Sequence, residues 1–148
     1  MRNILYVVLA MLLSAVAMTA YAADKNEKME TNKIKLKIGE QTFTATLVDN
    51  SSTKALKEML AKGDVTVEME DYANMEKVGP LGASLPRNDK HTTTSAGDLI
   101  LYQGRYLVIY YDPNTWSFTR LGKIDNVSRS ELLAALGRGD VTVTLSLD

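Results

Sequence analysis

The sequence predicts an all-β domain, a closed β-barrel whose open ends are plugged by two short helices. Most of the chain beyond residue 32 alternates apolar and polar residues with the period of two that a β-strand requires. Only two short segments show helical spacing of apolar residues, and turn-forming residues separate the alternating segments. Short alternating strands with few helices are typical of barrels, because closure of the sheet removes exposed edges.

The first two strands are expected at residues 33–38 and 41–48, joined by a hairpin turn at Gly39. Strict alternation in residues 33–38 puts three lysines on one face and three apolar residues on the other. The apolar side chains predicted to face the core are Ile34, Leu36 and Ile38.

An internal repeat predicts two helix–strand units. Residues 52–67 and 128–143 align without gaps, and both end in the run Gly-Asp-Val-Thr-Val. One interpretation is shared propensity, and the other is a pseudo-symmetric barrel with one such helix in each half. We expect a helix over residues 53–62 and a second one that begins near Ser128 or Ser130. The strands that follow contribute five further residues to the predicted core: Val65, Val67, Val141, Val143 and Leu145.

Residues 71–97 contain two prolines, three glycines and many polar residues without periodicity, which predicts a long functional or lid-like loop. Residues 98–111 form the most apolar segment and predict a tight hairpin around Gly104. Because both faces of this hairpin are apolar, we expect it to be covered on both sides.

The N-terminus has the layout of a secretory signal peptide over residues 1–22. Arg2 supplies a positive charge, residues 4–17 are almost entirely apolar, and Ala20-Tyr21-Ala22 forms a small-x-small cleavage site. The alternative is an uncleaved membrane anchor. We expect cleavage, a flexible leader over residues 23–32, and an exported protein, periplasmic or secreted, without membrane attachment.

Composition excludes several function classes. The formal net charge is -1, which provides no basic excess for nucleic-acid binding. The chain has no cysteine and one histidine, which excludes thiolate metal sites and thiol nucleophiles. It also lacks a phosphate loop and a dinucleotide fingerprint. We therefore expect no metal, no cofactor and no nucleic-acid partner.

Four stretches of the chain, residues 71–79, 84–86, 97–104 and 116–123, together resemble a bacterial family of cyclophilin-like proteins. The resemblance covers about residues 33 to 148, and it implies an eight-stranded closed barrel with two helices. The family is not tied to an established activity. The Phe-His-Arg and Gln-Gly-Gly-Asp signatures of true cyclophilins are absent from the sequence, so we assign no catalytic residue.

The chemistry that remains predicts a ligand site between residues 71–97 and the segment 116–123. Trp116 is the single tryptophan and lies among polar neighbours, which is typical of an aromatic contact residue. Two nearby cations favour an anionic group such as a carboxylate. The predicted ligand-binding residues are Tyr72, Glu76, Trp116, Arg120 and Lys123.

The tyrosines at 102, 106, 110 and 111 either line the same groove or belong to the core and the hairpin cover. The function expected from the sequence is a non-catalytic binding module for a peptide or a small anionic ligand. The alternative is a peptidyl-prolyl isomerase or another enzymatic activity.

Overall fold

The computed structural model describes residues 16–24, 26–27 and 31–148. The chain divides into two compact units, with the boundary after Thr31. In the first unit, residues 16–24 and 26–27 are helical and exposed. In the described part of the chain, no helix combines the length and the hydropathy that a membrane crossing requires.

Much of the predicted signal peptide and leader lies outside the described residues, namely residues 1–15, 25 and 28–30. Cleavage and export therefore stay predictions. Within the predicted leader, residues 23–24 and 26–27 are helical.

The second unit contains nine β-strands and two helices, which we label in chain order. The strands are β1 (Lys33–Ile38), β2 (Gln41–Leu47), β3 (Val65–Tyr72), β4 (Glu76–Pro80), β5 (Lys90–Thr93), β6 (Asp98–Tyr102), β7 (Tyr106–Tyr110), β8 (Thr115–Ile124) and β9 (Val141–Leu147). The helices are α1 (Ser51–Ala61) and α2 (Arg129–Leu136).

Eight strands form a closed antiparallel barrel in the order β2-β1-β9-β3-β4-β7-β6-β8, and the pairing of β8 with β2 closes it. The ninth strand, β5, lies outside this ring and pairs with β8 alone. At the closure Gly122 of β8 faces Leu47 of β2, and a Cβ on Gly122 would overlap the carbonyl oxygen of Thr46. The two backbones approach this closely because residue 122 has no side chain. The prediction of a closed barrel is confirmed.

Both helices begin at the side-chain caps that their sequences offer. Asn50 caps α1 by accepting a hydrogen bond from the Thr53 N–H at 2.8 Å, so the helix begins two residues before the predicted start. Ser128 caps α2 by accepting from the Glu131 N–H at 3.1 Å. The buried leucines of both helices join the cluster that fills the barrel: Leu56, Leu60, Leu132 and Leu136.

The barrel interior is filled by the alternating strand residues. All eight side chains in the predicted core pack into this interior cluster. Six are buried, whereas Val65 and Val141 are half-buried at its margin. The strand register inferred from alternation is therefore correct for β1, β3 and β9.

A second, smaller apolar cluster lies on the outer face of β6, β7 and β8. Leu99 and Leu101 point into the barrel, while Ile100 between them points outward. The outward residues of the second cluster are Ile100, Val108, Tyr110 and Phe118. Both faces of the hairpin are thus buried, as its apolar sequence predicts.

The two repeat segments fold in the same way, each as a helix followed by a strand. Their strands, β3 and β9, pair antiparallel, and Val67 faces Val143. These two valines occupy the same position in the two repeats, so a local two-fold axis passes between them. This pairing favours the pseudo-symmetric interpretation of the repeat.

The prediction of a long loop over residues 71–97 is wrong, because the segment contains the end of β3 and the whole of β4 and β5. A three-residue turn over residues 73–75 connects β3 to β4, and its first two residues, Ala73 and Asn74, have φ of 55° and 53°. β4 lacks apolar alternation because its inward residue is Lys77, and β5 is a short polar strand at the sheet edge.

Lys77 is completely buried among partners that satisfy its charge. Its Nζ donates to the Gly139 carbonyl oxygen at 2.6 Å and lies 3.1 Å from Asp71 Oδ1. The Tyr111 hydroxyl donates to the same carboxylate oxygen at 2.6 Å. Burial raises the pKa of Asp71, but the hydrogen bonds from Tyr111 and Lys77 outweigh it and hold that pKa below its ordinary value. The cluster links β3, β4 and the residue that follows β7 to the segment that leads into β9.

Candidate functional site

A concave pocket of about 440 Å³ opens on the outer face of the barrel. Its volume lies within the range of small-molecule sites. Five of the nine lining side chains are aromatic, and two are valines. The lining residues are Tyr72, Glu76, Val78, Tyr102, Val108, Tyr110, Asn114, Trp116 and Phe118.

Strand register creates the centre of this pocket. Glu76 of β4 lies directly opposite Tyr72 of β3 on one side and Tyr110 of β7 on the other. Side chains that face each other across neighbouring antiparallel strands lie on the same side of the sheet, with Cβ atoms about 5 Å apart. The Glu76 carboxyl group is therefore placed between two tyrosine rings.

The floor of the pocket is rigid because packing and hydrogen bonds fix its rings. Tyr110 and Phe118 are buried, and their ring centroids lie 5.7 Å apart in a tilted arrangement. Asn114 donates from Nδ2 to the Tyr110 hydroxyl oxygen at 3.1 Å. The backbone of Asn114 is in turn bonded to Thr94, whose N–H donates to the Asn114 carbonyl oxygen at 2.8 Å. Burial raises the pKa of Tyr110, so this hydroxyl stays neutral and polar.

Three aromatic side chains form the rim. Trp116 is 62% exposed and Tyr72 is 61% exposed, whereas Tyr102 is 37% exposed. Trp116 lies on β8 opposite Thr92 of β5, so the extra strand supports the indole-bearing end of β8. Large aromatic side chains held this open to solvent provide contact area for a ligand at low entropic cost.

Glu76 is the ionisable carboxylic acid of the pocket. The residue is only 8% exposed, and its carboxyl group makes no hydrogen bond or ion pair with any residue that the structure describes. Burial, and secondarily the negative charge of Asp71, raise the pKa of Glu76 from 4.5 to about 7. Glu76 therefore changes its charge close to neutral pH.

The structure brings Tyr72, Glu76 and Trp116 together, as the site prediction requires, but it places the two predicted cations elsewhere. Arg120 Nη1 lies 3.0 Å from Asp98 Oδ1, and Lys123 Nζ lies 3.8 Å from the same oxygen. Lys123 also donates to Ser95 Oγ at 2.9 Å. Asp98 is buried, so these cations compensate a carboxylate within the protein, and neither one lines the pocket.

Sequence reasoning missed four pocket residues: Val78, Val108, Asn114 and Phe118. The valines and the phenylalanine are outward residues of β4, β7 and β8, and only the pairing of these strands shows that they share one face. Tyr102 and Tyr110 do line the pocket, whereas Tyr111 points into the barrel and Tyr106 is not part of the pocket lining.

No group of three or more potential metal ligands occurs among residues 16–24, 26–27 and 31–148. His91 is exposed on β5. Its neighbour Asp89 accepts hydrogen bonds from Arg87 and Thr119, which act as its partners within the domain.

Comparison with known proteins agrees with this architecture. The solution structure of a hypothetical protein from Archaeoglobus fulgidus is similar, with a TM-score of 0.58 and 11% sequence identity, over 80% of this chain and 95% of that one. At this identity the likeness concerns the fold alone. No functionally curated protein gives a significant match. A model of the cyclophilin-like family matches residues 36–146, from the second core residue of β1 to the next-to-last residue of β9. Since this match spans nearly the whole closed barrel, the chain belongs to the cyclophilin-like family.

Proposed function

We propose that this domain is a non-catalytic binding module that holds an apolar side chain of a peptide, or the apolar part of a small molecule, in the outer-face pocket. The observation that carries the proposal is the convergence of Tyr72, Glu76 and Trp116 on one aromatic cavity. A preformed concave site with a buried apolar floor and a few polar groups is the usual form of a ligand pocket.

The lining favours an apolar ligand over an anionic one. The expectation of an anionic partner depended on Arg120 and Lys123, whose charges face Asp98 instead. No lysine or arginine is among the nine lining residues, and an anion would meet the Glu76 carboxylate.

A peptide-display selection against the purified domain tests the proposal. We expect selected peptides to shift the fluorescence of Trp116, which is the single tryptophan of the chain. Tyr102→Ala, at the rim, should weaken binding about tenfold, as truncation of an aromatic contact residue does. Tyr106→Ala is the matched control, because Tyr106 lies opposite Tyr102 in the hairpin but outside the lining. Equal affinity of Tyr102→Ala and the unmodified protein for every selected peptide would disprove the pocket as the binding site.

The enzymatic alternative has its own test, the isomerisation of a prolyl peptide, for which the enzyme must lower a barrier of about 20 kcal/mol. We expect no acceleration over the uncatalysed rate, because the pocket offers no cation to the prolyl nitrogen. Acceleration that disappears in Arg120→Ala would instead favour the isomerase, with Arg120 released from Asp98 on substrate binding.

We propose that the module works after export from the cytoplasm. The support comes from the sequence: the positive n-region, the apolar run and the Ala20-Tyr21-Ala22 motif. A domain that folds without cysteine does not depend on the redox state of its compartment.

A further inference from the structure

The outer-face pocket combines two features that a purely apolar site does not need. Five aromatic side chains line it, Tyr72, Tyr102, Tyr110, Trp116 and Phe118, and a carboxyl group lies among them. The face of an aromatic ring carries partial negative charge, so rings grouped around a cavity attract a cation. An inward carboxylate adds a full negative charge to the same cavity.

Glu76 has no partner of its own to satisfy that charge. The residue is nine-tenths buried, and its carboxyl group forms no hydrogen bond or ion pair with any residue in the described part of the chain. Burying an ionisable group without a partner costs free energy, and a bound counter-charge would remove that cost. Lys77, the next residue in sequence, points to the opposite face of β4 and into the barrel, where it forms an ion pair with Asp71. Its positive charge is therefore not available to Glu76.

From this juxtaposition we propose that the pocket recognises an organic cation, specifically a quaternary ammonium group, with Glu76 as its counter-ion and the aromatic side chains as its cage. This inference rests on the proposed function, since it names the ligand class of the same pocket.

Size and hydration favour a quaternary ammonium over a smaller cation. A compact primary ammonium is strongly hydrated and demands hydrogen-bond acceptors in place of water. In this pocket seven of the nine lining side chains are aromatic or valine, and Glu76 supplies the single carboxylate of the lining, so few strong acceptors would replace the lost water. An alkylated ammonium is bulky and weakly hydrated, so it fits an apolar cavity of about 440 Å³ with one carboxylate.

Two sources offer this chemistry, a free molecule such as choline or a trimethylated lysine of a peptide. We would measure the affinity of each by calorimetry and by Trp116 fluorescence, beside its neutral analogue in which carbon replaces the nitrogen. We expect each cation that enters the pocket to bind at least about tenfold more tightly than its neutral analogue, because the pair differ only in charge. Binding of the peptide alone would identify a protein partner, and binding of both would identify the ammonium group itself.

Glu76→Gln should lower the affinity for choline about tenfold and leave that of its neutral analogue unchanged. Glu70→Gln is the matched control, since Glu70 is an exposed carboxylate on β3 outside the lining. If Glu76→Gln does not fold, Trp116→Ala replaces it, because Trp116 is exposed and its loss removes a cage wall without opening the core.

The affinity for choline should also rise as the pH increases through 7, because burial raises the pKa of Glu76 to about 7 and choline itself does not titrate. The titratable groups on the same face of the sheet as Glu76 are Tyr72 from β3, Tyr110 from β7 and Tyr102 at the rim. The negative charge of Asp71 on β3 acts on Glu76 from the opposite face, where Asp71 pairs with Lys77. Ionised Glu76 increases from about a tenth of the molecules at one pH unit below its pKa to about nine-tenths at one unit above. We therefore expect a gain of up to about tenfold in affinity.

Equal affinity for a cation and its neutral analogue would overturn the cation inference while leaving the pocket as a binding site. Failure of both cations to bind would also overturn it, and the peptides selected by display would then decide the proposed function separately.

Discussion

Val143 is completely buried and faces Val67 across the pairing of β9 with β3. Val143→Ala removes two methyl groups from a closely packed interior and leaves a cavity, so we expect a loss of about 1 to 3 kcal/mol in the free energy of unfolding. Denaturant titration followed by circular dichroism measures this loss.

The neighbouring substitution Thr142→Ala is the control for Val143→Ala. Thr142 is exposed on the outer face of β9 and donates to Glu68 Oε2 at 2.7 Å, so its loss should cost less than about 1 kcal/mol. Equal losses for the two variants would show that the register of β9 is wrong.

Glu76 should make the stability of the domain depend on pH near neutrality. Its pKa is raised from 4.5 to about 7 by burial, so the folded state favours the protonated carboxyl group. The resulting stabilisation is complete below about pH 4.5 and is lost as the pH rises through 7. Glu76→Gln does not ionise, so the variant should gain stability over the unmodified protein by about 1 to 3 kcal/mol between pH 5 and 8.

Thermal unfolding of both proteins at several pH values gives this difference. Glu70→Gln serves as the control, because Glu70 is exposed and should show a constant difference from the unmodified protein. A difference between Glu76→Gln and the unmodified protein that does not change with pH would contradict the raised pKa.

At the scale of elements, β8 depends on a residue without a side chain where it closes the barrel. Gly122→Ala would push a methyl group into the carbonyl oxygen of Thr46 and separate β8 from β2. We expect a loss of more than about 2 kcal/mol in the free energy of unfolding, as for other overpacking substitutions.

Gly139→Ala is the matched substitution for Gly122→Ala, since a Cβ at residue 139 meets no atom within 4 Å. It should change the free energy of unfolding by less than about 1 kcal/mol. Hydrogen exchange of the amides in β2 and β8 locates the effect. If exchange increases elsewhere and not in these strands, the closure does not depend on Gly122.

Elements with at least one apolar face could be predicted from the sequence, and elements without an apolar face could not. β1, β3 and β9 alternate strictly, and both helices carry a side-chain cap and leucines at helical spacing. β4 has the buried Lys77 in place of an inward apolar residue, and β5 is a polar strand outside the ring. β4 lacks alternation because a charged cluster around Lys77 takes the place of an apolar contact with the core. β5 lacks it because a strand at the sheet edge does not bury a face.

The site follows the same physical limit. Tyr72 and Glu76 flank the turn between β3 and β4, whereas Trp116 is remote from both in sequence. An aromatic or carboxyl side chain in a polar stretch of the sequence led to the selection of each one. Arg120 and Lys123 were expected in the site, but they lie outside the pocket lining because both are drawn to the carboxylate of Asp98 across the pairing of β6 with β8. The register between two strands determines which charged side chains become partners. That register could not be inferred from the sequence pattern here, because a bulge between Leu99 and Ile100 shifts the pairing of β6 with β8.

At the scale of the whole molecule, we expect the mature protein to begin near Ala23 and to be found outside the cytoplasm. The apolar run before Ala20-Tyr21-Ala22 would direct export, and cleavage after this motif would release the barrel domain. N-terminal sequencing of the protein purified from its native source measures the start directly. A chain that still begins at Met1 would contradict cleavage, and its recovery with the membrane fraction would favour the anchor.

The enclosure of Lys77 makes its amine a chemical reporter of barrel opening. Acylating reagents modify only neutral amines that they reach, and the Lys77 side chain has no exposed surface. Exposed lysines such as Lys35 should be acylated within minutes, whereas acylation of Lys77 should wait for β3, β4 and β7 to separate. Mass spectrometry of timed samples would then measure the opening rate at one atom inside the barrel. Equal acylation rates at Lys77 and Lys35 would show that the interior is open to the reagent.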